Sequence, residues 1–135
     1  MSLPLFTARI AVRWSDLDAF NHVNNATYLT YLEEARLQWL DALDGEWINE
    51  AAAPVLAASQ LNYRRPIEWP AVLQVELAVE RLGSSSLTLA HRILDAKGDQ
   101  LHCDGNVVTV WIDPRSGRPV PLPEAVRGAC EPAAG

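Results

Sequence analysis

Residues 14–40, WSDLDAFNHVNNATYLTYLEEARLQWL, place Asp, Asn and His side chains directly before a long amphipathic segment. A helix N-terminus exposes backbone N–H groups without internal partners, and together with the helix dipole these groups favour negative charge. Asp18, six residues ahead of Asn24, has enough loop to fold back over such an end. The pattern predicts a site for a carbonyl group, where N–H donors stabilise the oxyanion that forms on the carbonyl oxygen. A carboxylate then attacks the carbonyl carbon or activates water.

The same residues also have a purely structural interpretation. Asn is among the preferred residues for capping a helix, so Asn24 and Asn25 can act as caps. Asp16 and Asp18 can close Asx-turns at the end of a strand. The residue types alone leave both interpretations open.

Other kinds of catalytic site are not supported by the sequence. His22, His91 and His102 lack the spacing of a zinc site, and no serine lies in a G-x-S-x-G motif. We therefore expect no metal site and no Ser-His-Asp triad, and we interpret the last two histidines as ordinary strand residues. Cys103 and Cys130 belong to no CxxC motif, which predicts two reduced thiols.

The composition limits the class of protein. The chain has 135 residues, is 49% hydrophobic and contains no apolar run long enough to cross a membrane. These properties predict one soluble globular domain over residues 1–135. The N-terminal residues lack the pattern of a secretory signal, so we expect a cytoplasmic protein. A net charge of -6 argues against non-specific nucleic-acid binding, which requires a basic surface.

Hydrophobic periodicity predicts a strand followed by a long helix. Alternation over residues 9–15 predicts a strand whose apolar face includes Trp14. Over residues 26–43 the period changes to three or four residues, which predicts a helix that ends near Asp44-Gly45. The apolar stripe of this helix consists of Tyr28, Leu32, Ala35, Trp39 and Leu43, with Leu29 and Leu40 broadening it.

The rest of the chain predicts four more strands and a short helix. The strands cover residues 54–65, 71–80, 86–94 and 100–112, and the helix begins near Pro123. The turns between the strands are short, which requires antiparallel neighbours. The sequence therefore predicts an α+β fold in which a five-stranded antiparallel sheet carries the long helix on its concave face.

The segment DLDAFNHVNNATYLTYLEEAR, residues 16–36, resembles the signature of acyl-CoA thioesterases of the 4-hydroxybenzoyl-CoA thioesterase class. That signature runs D-x-D-x-x-G-H-V-N-N-x-x-Y-L-x-Y-x-E-x-A-R, and a looser similarity extends over nearly the whole chain. The family has the hotdog fold, in which a five-stranded antiparallel sheet wraps around one long central helix. Asn21 stands where the family usually has glycine, and Asn is the next most tolerant residue of left-handed backbone geometry.

The resemblance implies hydrolysis of an acyl-CoA thioester to a free carboxylic acid and CoA, without a metal or redox cofactor. It makes Asp18 the nucleophile or general base and the backbone N–H of Asn25 the oxyanion donor. Asp16 would support the turn, and His22 would shape the loop and help to position water or the thioester. The residues expected to contact the substrate are Asn24, Tyr28, Leu32, Tyr63, Arg64 and Arg65.

Enzymes of this type build each active site across a dimer interface, so the resemblance also implies a homodimer or a homotetramer. Residues 61–69, LNYRRPIEW, carry Tyr and Trp beside two arginines, residue types that are enriched in interfaces. The carrier of the acyl group, CoA or an acyl carrier protein, is anionic in either case. The basic residues nearest to the expected site are Arg64, Arg65 and Arg81.

Two alternative functions stay open. A hotdog dehydratase acting on 3-hydroxyacyl thioesters would be expected to carry an H-x-x-x-P-G motif, which this sequence lacks. A non-catalytic acyl-CoA-binding module would bind the ester without turnover. Release of free thiol distinguishes a hydrolase from the binding module, and formation of an enoyl product would identify the dehydratase.

Overall fold

The computed structural model of the protein describes residues 4–134, so residues 1–3, part of the segment predicted not to be a secretory signal, and residue 135 lie outside it. Within this range a 3-10 turn, Trp14–Asp16, lies between the first strand and the first helix. The strands and α-helices of the described residues are β1 (Phe6–Ala11), α1 (Asn25–Asp41), β2 (Ala53–Tyr63), β3 (Val72–Leu82), β4 (Ser86–Asp95), β5 (Leu101–Ile112) and α2 (Glu124–Ala134).

The five strands form one antiparallel sheet in the order β1-β3-β4-β5-β2. The α1 helix packs against β1 and β3, and α2 packs against β3. The buried side chains of α1 are Tyr28, Tyr31, Leu32, Ala35, Trp39 and Leu40. They face apolar side chains of the sheet, so the two apolar surfaces bury each other. The predicted α+β architecture is confirmed.

The N-terminal strand differs from the prediction. It ends at Ala11, and Trp14 lies in the 3-10 turn with 74% of its surface exposed. The carboxylate of Asp16 accepts a hydrogen bond from the backbone N–H of Arg13 at 2.9 Å. This local bond closes a turn where the alternating pattern predicts continued strand, because an Asp side chain can replace a strand neighbour as the backbone's partner.

The helix prediction needs two smaller corrections. Leu29, expected to broaden the apolar stripe, is 44% exposed, because one residue beyond Tyr28 corresponds to a rotation of about 100° around the helix. The helix ends at Asp41, before the predicted stop, although Gly45 does have the expected positive φ, at 132°. The other strands begin and end within two residues of their predicted limits.

The middle of the sheet holds a buried histidine. His91 in β4 is 1% exposed, and its Nε2 lies 3.2 Å from the carbonyl oxygen of Gln60 in β2. The contact crosses β5 at Gly105, where an added Cβ would lie 3.0 Å from Nε2 of the histidine. Burial lowers the pKa of His91 to about 4, so the ring is neutral at pH 7.

Both cysteines are buried free thiols, Cys103 in β5 and Cys130 in α2, as the sequence predicts. Burial raises the pKa of each thiol to about 11. Neither helix of the described residues is long and apolar enough to span a membrane.

Candidate active site

Two of the predicted catalytic residues, Asp18 and His22, lie on a short loop between the 3-10 turn and α1, and the third, Asn25, begins α1. The two arms of the loop pair through a bridge between Leu17 and Val23, and the N–H of Asp18 donates to the carbonyl oxygen of His22 at 2.8 Å. At the tip, Asn21 has a φ of 60°, in the left-handed region. The prediction that Asn can preserve a turn normally made with glycine is confirmed.

The two carboxylate oxygens of Asp18 have different surroundings. Oδ1 accepts hydrogen bonds from the backbone N–H groups of Phe20, at 2.8 Å, and His22, at 3.2 Å. Asp18 therefore does close a local turn, as its structural interpretation predicts. Oδ2 accepts no hydrogen bond from residues 4–134. One oxygen fixes the carboxylate, and the other is available to a substrate or a water molecule.

The start of α1 supplies an unused donor. Asn24 is the N-cap, and its Oδ1 accepts the N–H of Ala26 at 2.9 Å, which confirms its interpretation as a helix cap. Asn25 is the first residue of the helix, and its N–H donates to no acceptor in the described part of the chain. This donor lies at the positive end of the helix dipole, so it is suited to binding an oxyanion.

Asp18 and Asn25 line the same cavity, which has a volume of about 240 Å³. The wall is built from the loop, the first turn of α1 and the end of β2, through Asp18, His22, Val23, Asn25, Tyr28, Tyr63, Arg64, Arg65 and Pro66. Seven predicted site residues are thus brought together. Two others are not part of this wall, since Asn24 caps the helix and Leu32 is buried in the core at 1% exposure.

Two tyrosines form an aromatic side of the cavity. The ring centroids of Tyr28 and Tyr63 are 4.9 Å apart, and the rings meet edge to face at 80°. The hydroxyl of Tyr63 donates to the carbonyl oxygen of Asn25 at 3.2 Å, so the end of β2 is tied to the first turn of α1. Burial raises the pKa of Tyr28 to about 12, so this residue is a neutral phenol at pH 7.

The two arginines of the cavity differ in their pairing. The guanidinium of Arg64 donates to Oδ1 of Asp104 through Nε at 3.1 Å, and its Nη2 lies 3.1 Å from the same oxygen as an ion pair. Within the described residues, Arg65 has no carboxylate within 4.0 Å. The positive charge of Arg65 is therefore the less compensated of the two, and this difference could not be derived from two adjacent arginines in the sequence.

His22 acts on the loop mainly through its backbone. Its N–H donates to Asp18, and its carbonyl oxygen accepts the N–H of the same residue. The ring nitrogen Nε2 lies 4.0 Å from Oε1 of Glu68, at the limit of an ion pair. The side chain lines the cavity beside Asp18, within the group of residues that would surround a bound ester.

Asp16 occupies the opposite environment from Asp18. It is 4% exposed, and its carboxylate accepts bonds from the hydroxyl of Tyr31 and from the backbone and guanidinium of Arg13. Burial alone would raise the pKa of Asp16, but these donors outweigh it and hold the pKa below its usual range. Sequence reasoning missed Tyr31 because the residue lies off the predicted apolar stripe, and its only signal is the second Tyr of the signature.

Comparisons with known proteins show similarity in sequence over most of the chain. The thioesterase-like superfamily matches residues 12–130 of this chain. The long-chain acyl-CoA thioesterase FadM of Escherichia coli K12 is 32% identical over 125 residues, which cover 91% of this chain and 95% of FadM.

Two solved structures extend the similarity to three dimensions. A candidate acyl-CoA thioesterase from Xanthomonas campestris shares 54% identity with a TM-score of 0.76, covering 82% of this chain and 95% of that one. A thioesterase from Thermus thermophilus, solved with coenzyme A and Zn, shares 34% identity with a TM-score of 0.81, covering 100% of this chain and 98% of that one.

Proposed function

We propose that Asp18 is the catalytic carboxylate of this acyl-CoA thioesterase, which belongs to the thioesterase-like superfamily, and that the N–H of Asn25 is its oxyanion donor. The observation that carries this proposal is that the two residues line one cavity, each with an unused hydrogen-bonding group. The reaction consumes water and yields a carboxylic acid and the free thiol of CoA.

In the proposed mechanism, the carbonyl oxygen of the thioester accepts the N–H of Asn25. Negative charge develops on this oxygen as the tetrahedral transition state forms, and it meets a donor that needs no rearrangement. The helix dipole adds a favourable field at the same point. A donor of this kind stabilises the transition state by about 3 kcal/mol, which corresponds to roughly a hundredfold in rate.

Asp18 then acts through Oδ2 in one of two ways. As a nucleophile, the oxygen bonds to the carbonyl carbon, the C–S bond breaks, and water hydrolyses the resulting anhydride. As a general base, it takes a proton from a water molecule that attacks the carbon directly; the C–S bond then breaks, and the proton passes to the leaving sulfur of CoA. In both cases the bonds from Phe20 and His22 to Oδ1 fix the position of the carboxylate.

We propose that the carrier end of the substrate lies beside Arg65. The guanidinium of Arg65 can contact an anionic group such as a CoA phosphate without first breaking an ion pair, whereas Arg64 is bonded to Asp104. The acyl end lies against Tyr28, with Leu32 packed beneath in the core. This orientation places the thioester between a cationic and an apolar part of the site.

We also propose that the enzyme is cytoplasmic and works as a homodimer or a homotetramer. β2 is an edge strand of 11 residues, and edge strands present unpaired N–H and C=O groups to other chains. Several of its side chains are exposed, including Leu56 at 50% and Tyr63 at 49%. Since Tyr63 also lines the cavity, a partner that covers β2 would contact the proposed site.

The test is release of free thiol from a panel of acyl-CoA esters by the purified protein. Asp18→Asn should lower kcat by about a thousandfold, because an amide neither attacks nor accepts the proton. Folding should be retained, since the amide oxygen can still accept the N–H groups of Phe20 and His22. Asp41→Asn, at the far end of α1, removes the same charge and should keep full activity.

Each alternative has its own outcome in this assay. Thiol release by Asp18→Asn at the normal rate would remove Asp18 from its role. Binding of acyl-CoA without thiol release would identify a non-catalytic module, and an enoyl product would identify a dehydratase.

A further inference from the structure

The loop that carries Asp18 is attached to α1 through Asp16. The carbonyl oxygen of Asp16 accepts the N–H of Asn24, the helix cap, at 2.9 Å. Its carboxylate oxygen Oδ2 accepts the hydroxyl of Tyr31, in the second turn of the helix, at 2.7 Å. The backbone and the side chain of one residue therefore both contact α1, at two separate points.

Arg13 completes the surroundings of this carboxylate from the other side. Its backbone N–H donates to Oδ2 of Asp16 at 2.9 Å, and its guanidinium donates to Oδ1 through Nε at 3.2 Å and Nη2 at 3.0 Å. The side chain of Asp16 is only 3% exposed. A buried carboxylate is strongly destabilised when a donor is removed, because water cannot replace it without movement of the chain.

The position of Asp16 limits the position of Asp18. Only Leu17 separates them, so their Cα atoms are at most about 7 Å apart. A shift of the Asp16 carboxylate therefore moves the backbone that carries the catalytic oxygen. A displacement of about 1 Å from the productive geometry can lower a rate by about a hundredfold.

We infer that Tyr31 is a positioning residue of this site: its hydroxyl holds the carboxylate of Asp16 and thereby sets Asp18 against the N–H of Asn25. The inference rests on the proposed role of Asp18. Tyr31 does not line the cavity, so it acts through Asp16 and not by touching the substrate.

The chemistry of Tyr31 is suited to this role. Its side chain is 4% exposed, and the hydroxyl is the one part that a core position does not require, since Phe would fill the same space. Burial, and next the hydrogen bond to Asp16, raise the pKa of Tyr31 well above its ordinary value. The phenol therefore stays protonated and donates throughout the neutral pH range.

The test is Tyr31→Phe, which keeps the ring and removes only the donor. We expect kcat to fall by about tenfold while KM changes by less than about twofold, because the residues that line the cavity are unchanged. The matched control is Val126→Ala in α2, which opens a cavity at a fully buried position. The position is remote from the proposed site, because the neighbouring Ala125 lies beside Gly45, beyond the far end of α1. This control should lower the melting temperature but keep the wild-type kcat.

A double-mutant cycle with Asp16→Asn tests the route of the effect. If Tyr31 acts through Asp16, the double variant should have the kcat of Asp16→Asn alone. A further tenfold loss in the double variant would contradict the inference. If Asp16→Asn does not fold, the comparison of Tyr31→Phe with Val126→Ala still decides, since a wild-type kcat in Tyr31→Phe would overturn the inference.

The Asp18→Asn variant distinguishes failure of this inference from failure of the proposed catalytic role of Asp18. An inactive Asp18→Asn together with a fully active Tyr31→Phe would overturn the positioning role alone. A fully active Asp18→Asn would overturn both.

Discussion

Two regions of this protein hold polar groups under different constraints. In the middle of the sheet, His91 is sealed from water; its Nε2 lies 3.2 Å from the carbonyl oxygen of Gln60, and its Nδ1 has no partner among residues 4–134. In the loop before α1, one oxygen of Asp18 and the N–H of Asn25 have no partner among residues 4–134. Water cannot reach the unpaired nitrogen of the first region, whereas the unpaired groups of the second belong to residues that line a cavity.

The difference follows from how sheets and helices satisfy the hydrogen-bonding groups of their backbones. Neighbouring strands satisfy each other's N–H and C=O groups, so a polar side chain inside a sheet is closed off from water, and any of its atoms left without a partner lowers stability. A helix start always leaves N–H groups without partners. Substitutions in the sheet should therefore change the free energy of unfolding, whereas substitutions in the loop should mainly change the reaction rate.

Gly105→Ala should have the largest effect on the free energy of unfolding. Gly105 has a φ of 147°, which side chains rarely adopt, and an added Cβ would overlap the carbonyl oxygen of Gln60. We expect the free energy of unfolding to fall by about 4 kcal/mol or more, or soluble protein to be lost. The measurement is denaturation in urea. The control is Gly128→Ala in α2, where an added Cβ meets nothing within 4 Å, and this change should be neutral or stabilise by up to about 1 kcal/mol. Equal unfolding curves for Gly105→Ala and wild type would contradict the close packing.

The titration of His91 should give the next largest effect. Its folded pKa of about 4 lies below the ordinary value of 6.5, so the folded state prefers the neutral ring. Above pH 6.5 neither state is protonated, and between 6.5 and 4 only the unfolded state takes up the proton. Stability should therefore fall as the pH is lowered through this range, by roughly 3 kcal/mol in total.

Urea denaturation at several pH values between about 7 and 5 measures this dependence. His91→Gln is the informative control, because its amide can donate to Gln60 but does not titrate. Its stability should fall less steeply with decreasing pH than that of the wild type. Parallel curves would show that the imidazole does not carry the effect.

The same two regions show what the sequence can predict about the fold. Alternation in β4 puts His91 on the same side of the strand as Leu89 and Ile93, and all three residues are buried. It cannot predict the bond to Gln60, because that bond depends on the register of three strands and on a gap at Gly105. Periodicity reports which side of a strand is buried, whereas contacts across strands depend on the whole sheet.

The site shows a similar limit. The signature identifies Asp18 and Asn25 as a pair, and the structure brings them to one cavity. The alternating pattern wrongly extends the predicted first strand through Trp14, whereas β1 ends at Ala11. The pattern carries no information about the hydrogen bonds of Asp16, which close the turn. Local pattern thus predicts residue type and element, while the donors that surround each carboxylate come from tertiary packing.

Arg65→Ala should sharpen the comparison by testing a charge that the fold leaves available. We expect KM for acyl-CoA to rise by about tenfold with little change in kcat, since the contact is to the carrier and not to the reacting carbon. Arg64→Ala should have a smaller effect, because that guanidinium is already bonded to Asp104. The increase in KM should shrink at high salt, where charges on the surface are screened. Equal increases for the two variants would show that pairing with Asp104 does not matter for binding.

Substitutions of Asn24 should have the smallest effect on the free energy of unfolding. They also separate effects on stability from effects on kcat. Asn24→Ala removes the cap on Ala26 and should lower the free energy of unfolding by about 1 kcal/mol. Asn24→Asp keeps an oxygen that caps the helix equally well, so its stability should match the wild type. Its new negative charge, however, lies next to the N–H of Asn25, where the reaction also develops negative charge. The expected result is a lower kcat in Asn24→Asp at unchanged melting temperature. A kcat equal to that of the wild type would place the developing charge away from this helix start, because two like charges so close together must repel.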